Sequence, residues 1–99
     1  MIFLDSSLMK NNNPMRRYFD IEKSKTFVCI YLRSGQKVYR SSRLKEDKVS
    51  KEMGMKGLQY RFVNGKYKGQ YYTAIIFDNE SKEILEKFDE YGKRITNYQ

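Results

Sequence analysis

Tyr71-Tyr72-Thr73-Ala74-Ile75-Ile76-Phe77 lies in the longest uncharged run of the 99-residue chain. β-Branched and aromatic residues dominate it, the composition of a strand packed against neighbours. Thr73, Ile75 and Phe77 fall on one side of such a strand, Ala74 and Ile76 on the other. Apolar character on both faces marks a strand interior to its layer. Residues 70–77 are therefore read as the central strand, and the rest of the chain is laid out around it.

Upstream the pattern has period two. Arg17-Tyr18-Phe19-Asp20-Ile21-Glu22 separates Phe19 and Ile21 from Asp20 and Glu22, and Thr26-Phe27-Val28-Cys29-Ile30-Tyr31-Leu32-Arg33 is strongly β in composition. Ser34-Gly35 supplies a tight turn, and 36–41 returns as a third strand, giving an antiparallel meander. A two-residue loop sets Tyr31 opposite Val38 and Ile30 opposite Tyr39. A three-residue loop sets Leu32 opposite Val38 and Tyr31 opposite Tyr39. The two registers exchange faces, so the side taken by Tyr39 and Arg40 stays open.

Residues 43–56 break the strand pattern. Ser42 offers a cap, Leu44, Val49 and Met53 a thin apolar stripe, and Gly54 and Gly57 an end, predicting a short helix. Leu58-Gln59-Tyr60-Arg61-Phe62-Val63 reads as a fourth strand, turned by Asn64-Gly65, a strong hairpin signal. Its register gathers Arg61, Lys66 and Lys68 on one face.

Downstream, Asp78, Asn79 and Ser81 are good caps, while Ile84, Leu85, Phe88 and Tyr91 share a helical face, so a second helix is expected over 79–91. A competing pattern is present. Phe77-Asp78-Asn79-Glu80-Ser81-Lys82-Glu83-Ile84 echoes Phe88-Asp89-Glu90-Tyr91-Gly92-Lys93-Arg94-Ile95, as a β-meander would. Adjacent Ile84 and Leu85 spoil strict alternation, which favours the helix. Residues 93–98 add an edge strand or fray. The expected fold is α+β, an antiparallel sheet of about five strands in the order βββ-α-ββ-α, with two helices packed largely on one face. It comprises a flexible segment 1–15, marked by Asn11-Asn12-Asn13-Pro14, and a single domain over 16–99.

Composition bounds the chemistry. Histidine is absent and cysteine occurs once, at Cys29. Ser-His and Cys-His nucleophilic arrangements and structural zinc are thereby excluded. No glycine pattern fits a phosphate loop, and Glu46-Asp47-Lys48 lacks the acidic strand partner that a metal-dependent nuclease needs. No catalytic residue, metal or cofactor is expected. Met1-Ile2-Phe3-Leu4 is cut off by Asp5 and has no basic leader, and no run is long enough to span a membrane. With its lone cysteine, this suggests a reducing, cytoplasmic setting.

The formal net charge is +8, concentrated in positions 10–68, while 69–99 are slightly acidic. Such asymmetry points to a polyanionic partner, DNA or RNA first; a merely solvated surface is the competing explanation. The expected function is a small basic nucleic-acid-binding accessory module. Arg61, Lys66 and Lys68 on the hairpin meet phosphates, helped by Arg40, Arg43 and Lys37, and Tyr60 and Tyr67 offer stacking surfaces. The alternative is a protein-binding inhibitor or adaptor of mobile-element, phage-like type, meeting an acidic or nucleic-acid-processing partner. An open sheet edge leaves room for strand addition or a homodimer.

Gln59-Tyr60-Arg61, Gly65-Lys66-Tyr67-Lys68 and Tyr71-Tyr72 loosely resemble the Gly/Tyr/Arg-rich strands of RelE-like ribonuclease toxins. That resemblance implies a small, basic, antiparallel domain cutting RNA without metal. It covers some fifteen residues, and strands stand where that family has its N-terminal helical pair. It ranks below both binding readings.

Overall fold

The structure is a computed structural model that describes residues 23–95. The segment 1–15, the strand expected over Arg17–Glu22 and residues 96–99 lie outside the described residues. The described chain runs β1 (Thr26–Leu32), β2 (Lys37–Ser41), α1 (Leu44–Val49), α2 (Lys51–Leu58), a π-helical continuation (Gln59–Lys66), β3 (Tyr71–Asp78) and β4 (Ile84–Phe88). The class is α+β as expected, with four antiparallel strands in the spatial order β2-β1-β3-β4. Among the described residues the chain order is ββ-αα-ββ, which corrects the ββ-α-ββ-α expected there. Both edges of β1 are occupied, by β2 and β3.

β3 is interior, and Ala74 and Ile76 are fully buried while Ile75 is 9% exposed. Val28, Ile30, Ala74, Ile76 and Phe88 meet Leu58, Phe62, Val63 and Tyr67 in one core, with Tyr71 among them. Helices and sheet thus form two layers around a single apolar seam. The β1–β2 register pairs Ile30 with Val38 and Cys29 with Tyr39, matching neither expected pairing. The loop is Arg33-Ser34-Gly35: Gly35 donates to the Leu32 carbonyl at 3.0 Å and takes φ +99°, which glycine accepts without strain.

The strand expected over Leu58–Val63 and the Asn64-Gly65 hairpin do not form. These residues are helical, because Met55, Leu58, Phe62 and Val63 recur at helical spacing and face the sheet. Strand alternation would put Tyr60 beside Leu58 and Phe62. Instead Tyr60 is 80% exposed while Leu58 is fully buried and Phe62 nearly so. The continuation is wide: Tyr67 N–H donates to the Phe62 carbonyl five residues back, at 3.0 Å. Gly54 and Gly57 do not end the helix; they let it approach α1. A Cβ on Gly54 would run into Asp47 Oδ1 and stand 3.1 Å from Ser42 Cβ. Ser50, with extended φ −172°, breaks the helix instead and caps α2, its Oγ accepting from Met53 N–H at 3.0 Å. Ser42 is no cap. Its buried hydroxyl donates to Asp47 (2.8 Å), and Lys25 N–H also donates to that carboxylate (3.0 Å).

The helix expected over 79–91 is β4 and its turns. Asp78 Oδ1 accepts from the amides of Glu80 and Ser81, and Asp89 Oδ1 from those of Tyr91 and Lys93. The echoed Phe-Asp pairs therefore start two aspartate-held turns. The adjacent Ile84 and Leu85 are a β-bulge: Phe77 pairs with Ile84 and Ile76 with Glu86, leaving Leu85 as the extra residue, packed against the core. Past β4, Arg94 makes a single bridge to Phe88.

Candidate functional site

Without a hairpin, Arg61, Lys66 and Lys68 are not gathered on one ribbon face. Arg61 points across to α1. Its Nη1 donates to both Glu46 carboxylate oxygens, at 3.1 and 2.9 Å, and the two side chains are only 15% and 20% exposed. Its guanidinium also lies 5.6 Å from the Phe62 ring centroid. Arg61 is a tie between helices, removed from the surface that a phosphate would touch. Tyr60 stands alone on the far, exposed side of the helix.

The structure instead brings Arg40, Lys66 and Tyr67 together. The backbone leaves helical geometry at Gly65, and Tyr67 just beyond it turns inward, where it is 7% exposed and its ring lies 6.3 Å from Phe62. Strand alternation puts Arg40 on the helix-facing side of β2, opposite Val28. From there Arg40 Nη2 donates to Tyr67 Oη at 2.7 Å, with Cζ 5.7 Å from the ring centroid. Lys66 Nζ reaches the same ring at 5.6 Å. Two cations from positions 26 apart thus share one aromatic anchor. Lys68 is exposed in the turn that follows, its amide donating to the Gly65 carbonyl. Arg43 is half-buried at the start of α1. Lys37 lies on the opposite face of the sheet, paired with Tyr31 and 5.5 Å from its ring centroid.

Among the described residues Arg40, Lys66, Lys68 and Lys37 make no salt bridge, whereas Arg33, Lys51, Arg61 and Arg94 do. Sequence reasoning missed Phe62, which links the Arg61 and Tyr67 contacts. Its signal was the helical spacing of Leu58 and Phe62.

A separate polar cleft of about 470 Å³ is lined by Lys23, Ser24, Lys25, Lys51, Asp78, Asn79 and Glu80. Two of its charges, Lys51 and Asp78, are paired with each other. Lys51 donates to Asp78, and that bond, followed by the amides of Ser81 and Glu80, lowers the Asp78 carboxyl to about 2. The same contact raises Lys51. Tyr71 donates to the Val63 carbonyl at 3.0 Å, and burial, then Asp89, pushes its hydroxyl up. Among the described residues no group of three or more His, Cys, Asp or Glu side chains is placed to hold a metal. No described helix is long and apolar enough to cross a membrane.

No protein-family model, curated protein or solved structure matches this chain. The residues that resemble RelE-like strands are helical from Gln59 to Lys66, so the paired strands implied there are absent.

Proposed function

We propose that the chain is a small nucleic-acid-binding module whose phosphate contacts are Arg40, Lys66 and Lys68. One observation carries this reading: Arg40 and Lys66 converge on Tyr67 with no described carboxylate to neutralise either. Like charges brought together are tolerable at an exposed edge and gain from an anionic partner. Tyr67 presets the Arg40 guanidinium, lowering the ordering cost of each phosphate contact.

The test is fluorescence anisotropy with labelled DNA and RNA over a salt series. Each neutralised phosphate adds roughly 0.7–0.9 to the slope of log affinity against log salt. Replacing Arg40, Lys66 and Lys68 by alanine should weaken binding and flatten that slope by about two to three, with circular dichroism unchanged. Undiminished binding by the triple variant, or no binding at low salt, removes the reading. The adaptor reading then takes its place, supported by the edge of β2, which no described strand covers.

A further inference from the structure

The sheet face turned away from the helices is aromatic and cationic at once. Across its strands, register aligns Phe77, Phe27 and Ser41 in one row, Lys87, Ile75, Cys29 and Tyr39 in the next, and Thr73, Tyr31 and Lys37 in the third. No described helix packs there, since the helical core residues all meet Val28, Ile30, Ala74 and Ile76 on the other face. Phe27 and Phe77 stack at 5.1 Å and 19°, and Tyr39 leans on Phe27 at 6.4 Å. Tyr39 is 49% exposed, while Cys29 and Ile75 form a buried floor between the rings. Lys37 stands over Tyr31, and Lys82 Nζ lies 5.4 Å from the Phe27 ring centroid. No paired strand position on this face carries a carboxylate.

We propose that this face is a platform for single-stranded nucleic acid. Bases stack on Tyr39 and Tyr31 beside the Phe27–Phe77 pair, and Lys37, Lys82 and Lys87 meet the phosphates between them. The proposal rests on the nucleic-acid reading above and makes it specific to unpaired strands. The occupant follows from charge and shape together. Flat rings ringed by lysines and free of acids match a ligand with π-faces and regularly spaced negative charge. A duplex keeps its base faces stacked inside and offers nothing to such rings. From β2 to β3 the rings span roughly 10 Å at ordinary strand spacing, wide enough for splayed bases. Lys37, now over Tyr31, sits on a flexible stem, so a base entering that ring face displaces it toward its own phosphate; Lys82 Nζ, held by the backbone and side-chain oxygens of Asn79, meets a phosphate from a fixed position.

The test uses the full chain and three fluorescent probes: oligouridylate and oligothymidylate of about 12 nucleotides, within the usual site size for one module, and a duplex of similar length. Tyr39→Ala and Tyr31→Ala should each weaken single-strand binding about tenfold, the loss of one stacked base. Tyr39→Phe should retain it, and duplex binding should not change. Photo-crosslinking of oligouridylate containing 5-iodouridine should label Tyr39 or Tyr31. Single-strand affinity unchanged in both alanine variants, with adducts confined to the neighbourhood of Tyr67, overturns this proposal while leaving the nucleic-acid reading intact. Failure of every probe to bind the wild type removes both. A dimer of the unliganded protein in sedimentation, dissolved by the same alanine substitutions, would make the face a self-interface and also overturn it.

Discussion

Gly54→Ala tests the fold where sequence and structure disagree most. In an exposed helix interior alanine is favoured over glycine by about 0.8–1 kcal/mol. Here the new methyl meets Asp47 Oδ1, with Ser42 Cβ 3.1 Å away. Asp47 cannot swing aside freely. It is 4% exposed and held by the Ser42 hydroxyl at 2.8 Å and the Lys25 amide at 3.0 Å. Giving up one charge-assisted bond costs about 1.5–3 kcal/mol, and forcing the helices apart costs about 1–3 kcal/mol. After the propensity gain, the net loss is about 1.5–5 kcal/mol. For a domain of this size each kcal/mol moves the midpoint by roughly 4–8 °C, so thermal and urea melts resolve it. The double variant isolates the cause: in an Asp47→Ala background the closest obstruction is gone and only the tight Ser42 contact remains, so Gly54→Ala should cost clearly less than in the wild type, within about 1 kcal/mol of neutral. A single Gly54→Ala variant as stable as wild type would refute the packing of α2 on α1 and return Gly54 to the role of a helix end.

Two further outcomes follow from the charges. Arg61→Ala should destabilise by about 1–3 kcal/mol in urea melts, because it strands a largely buried Glu46, whereas Lys66→Ala should stay within about 0.5 kcal/mol; equal effects would contradict the inward placement of Arg61. Asp78, lowered from 3.8 to about 2, contributes stability above its unfolded value and loses it as pH falls through the folded one, so the gap between wild type and Asp78→Asn in thermal melts should close between pH 3.8 and about 2; a gap that stays constant over that range would rule out its ion pair with Lys51.

The strands β1, β2 and β3 were legible because their signal is local: alternation, β-branched residues and a glycine turn lie within a few positions of one another. The helix through Lys66 was not, because its punctuation misleads. A glycine that ends a helix and a glycine that admits a neighbour look alike in one sequence; only Asp47 and Glu46, on another element, tell them apart. Asn64-Gly65 was misread for a related reason. Gly65 takes φ −122°, outside the positive range that a type I′ turn needs, and a Cβ there would stand 2.6 Å from the Tyr60 carbonyl oxygen. The C-terminal echo was visible and was set aside for the wrong reason, since a bulge at Leu85 breaks alternation without breaking the strand. For the site, composition located the cations but could not choose among them. Arg61 and Lys66 are equally basic in sequence, and only the helix that carries Arg61 and the break at Gly65 before Lys66 send one to Glu46 and the other to Tyr67.

That division also explains why the excess charge matters at β2. Four described carboxylates, Glu46, Asp78, Glu86 and Glu90, are each bound to a cation, while Asp47 and Asp89 hold backbone amides. These six lie on α1, at the start of the turn before β4, on β4 and in the turn after it. β2 receives none, and alternation splits its own cations between faces, Lys37 outward with Tyr39 and Arg40 inward toward Tyr67. An anionic chain crossing the edge of β2 meets a cation on either side of it. The edge thus offers a cation on either face, and β2 joins the Arg40–Tyr67–Lys66 cluster to the outer aromatic face through a single short strand.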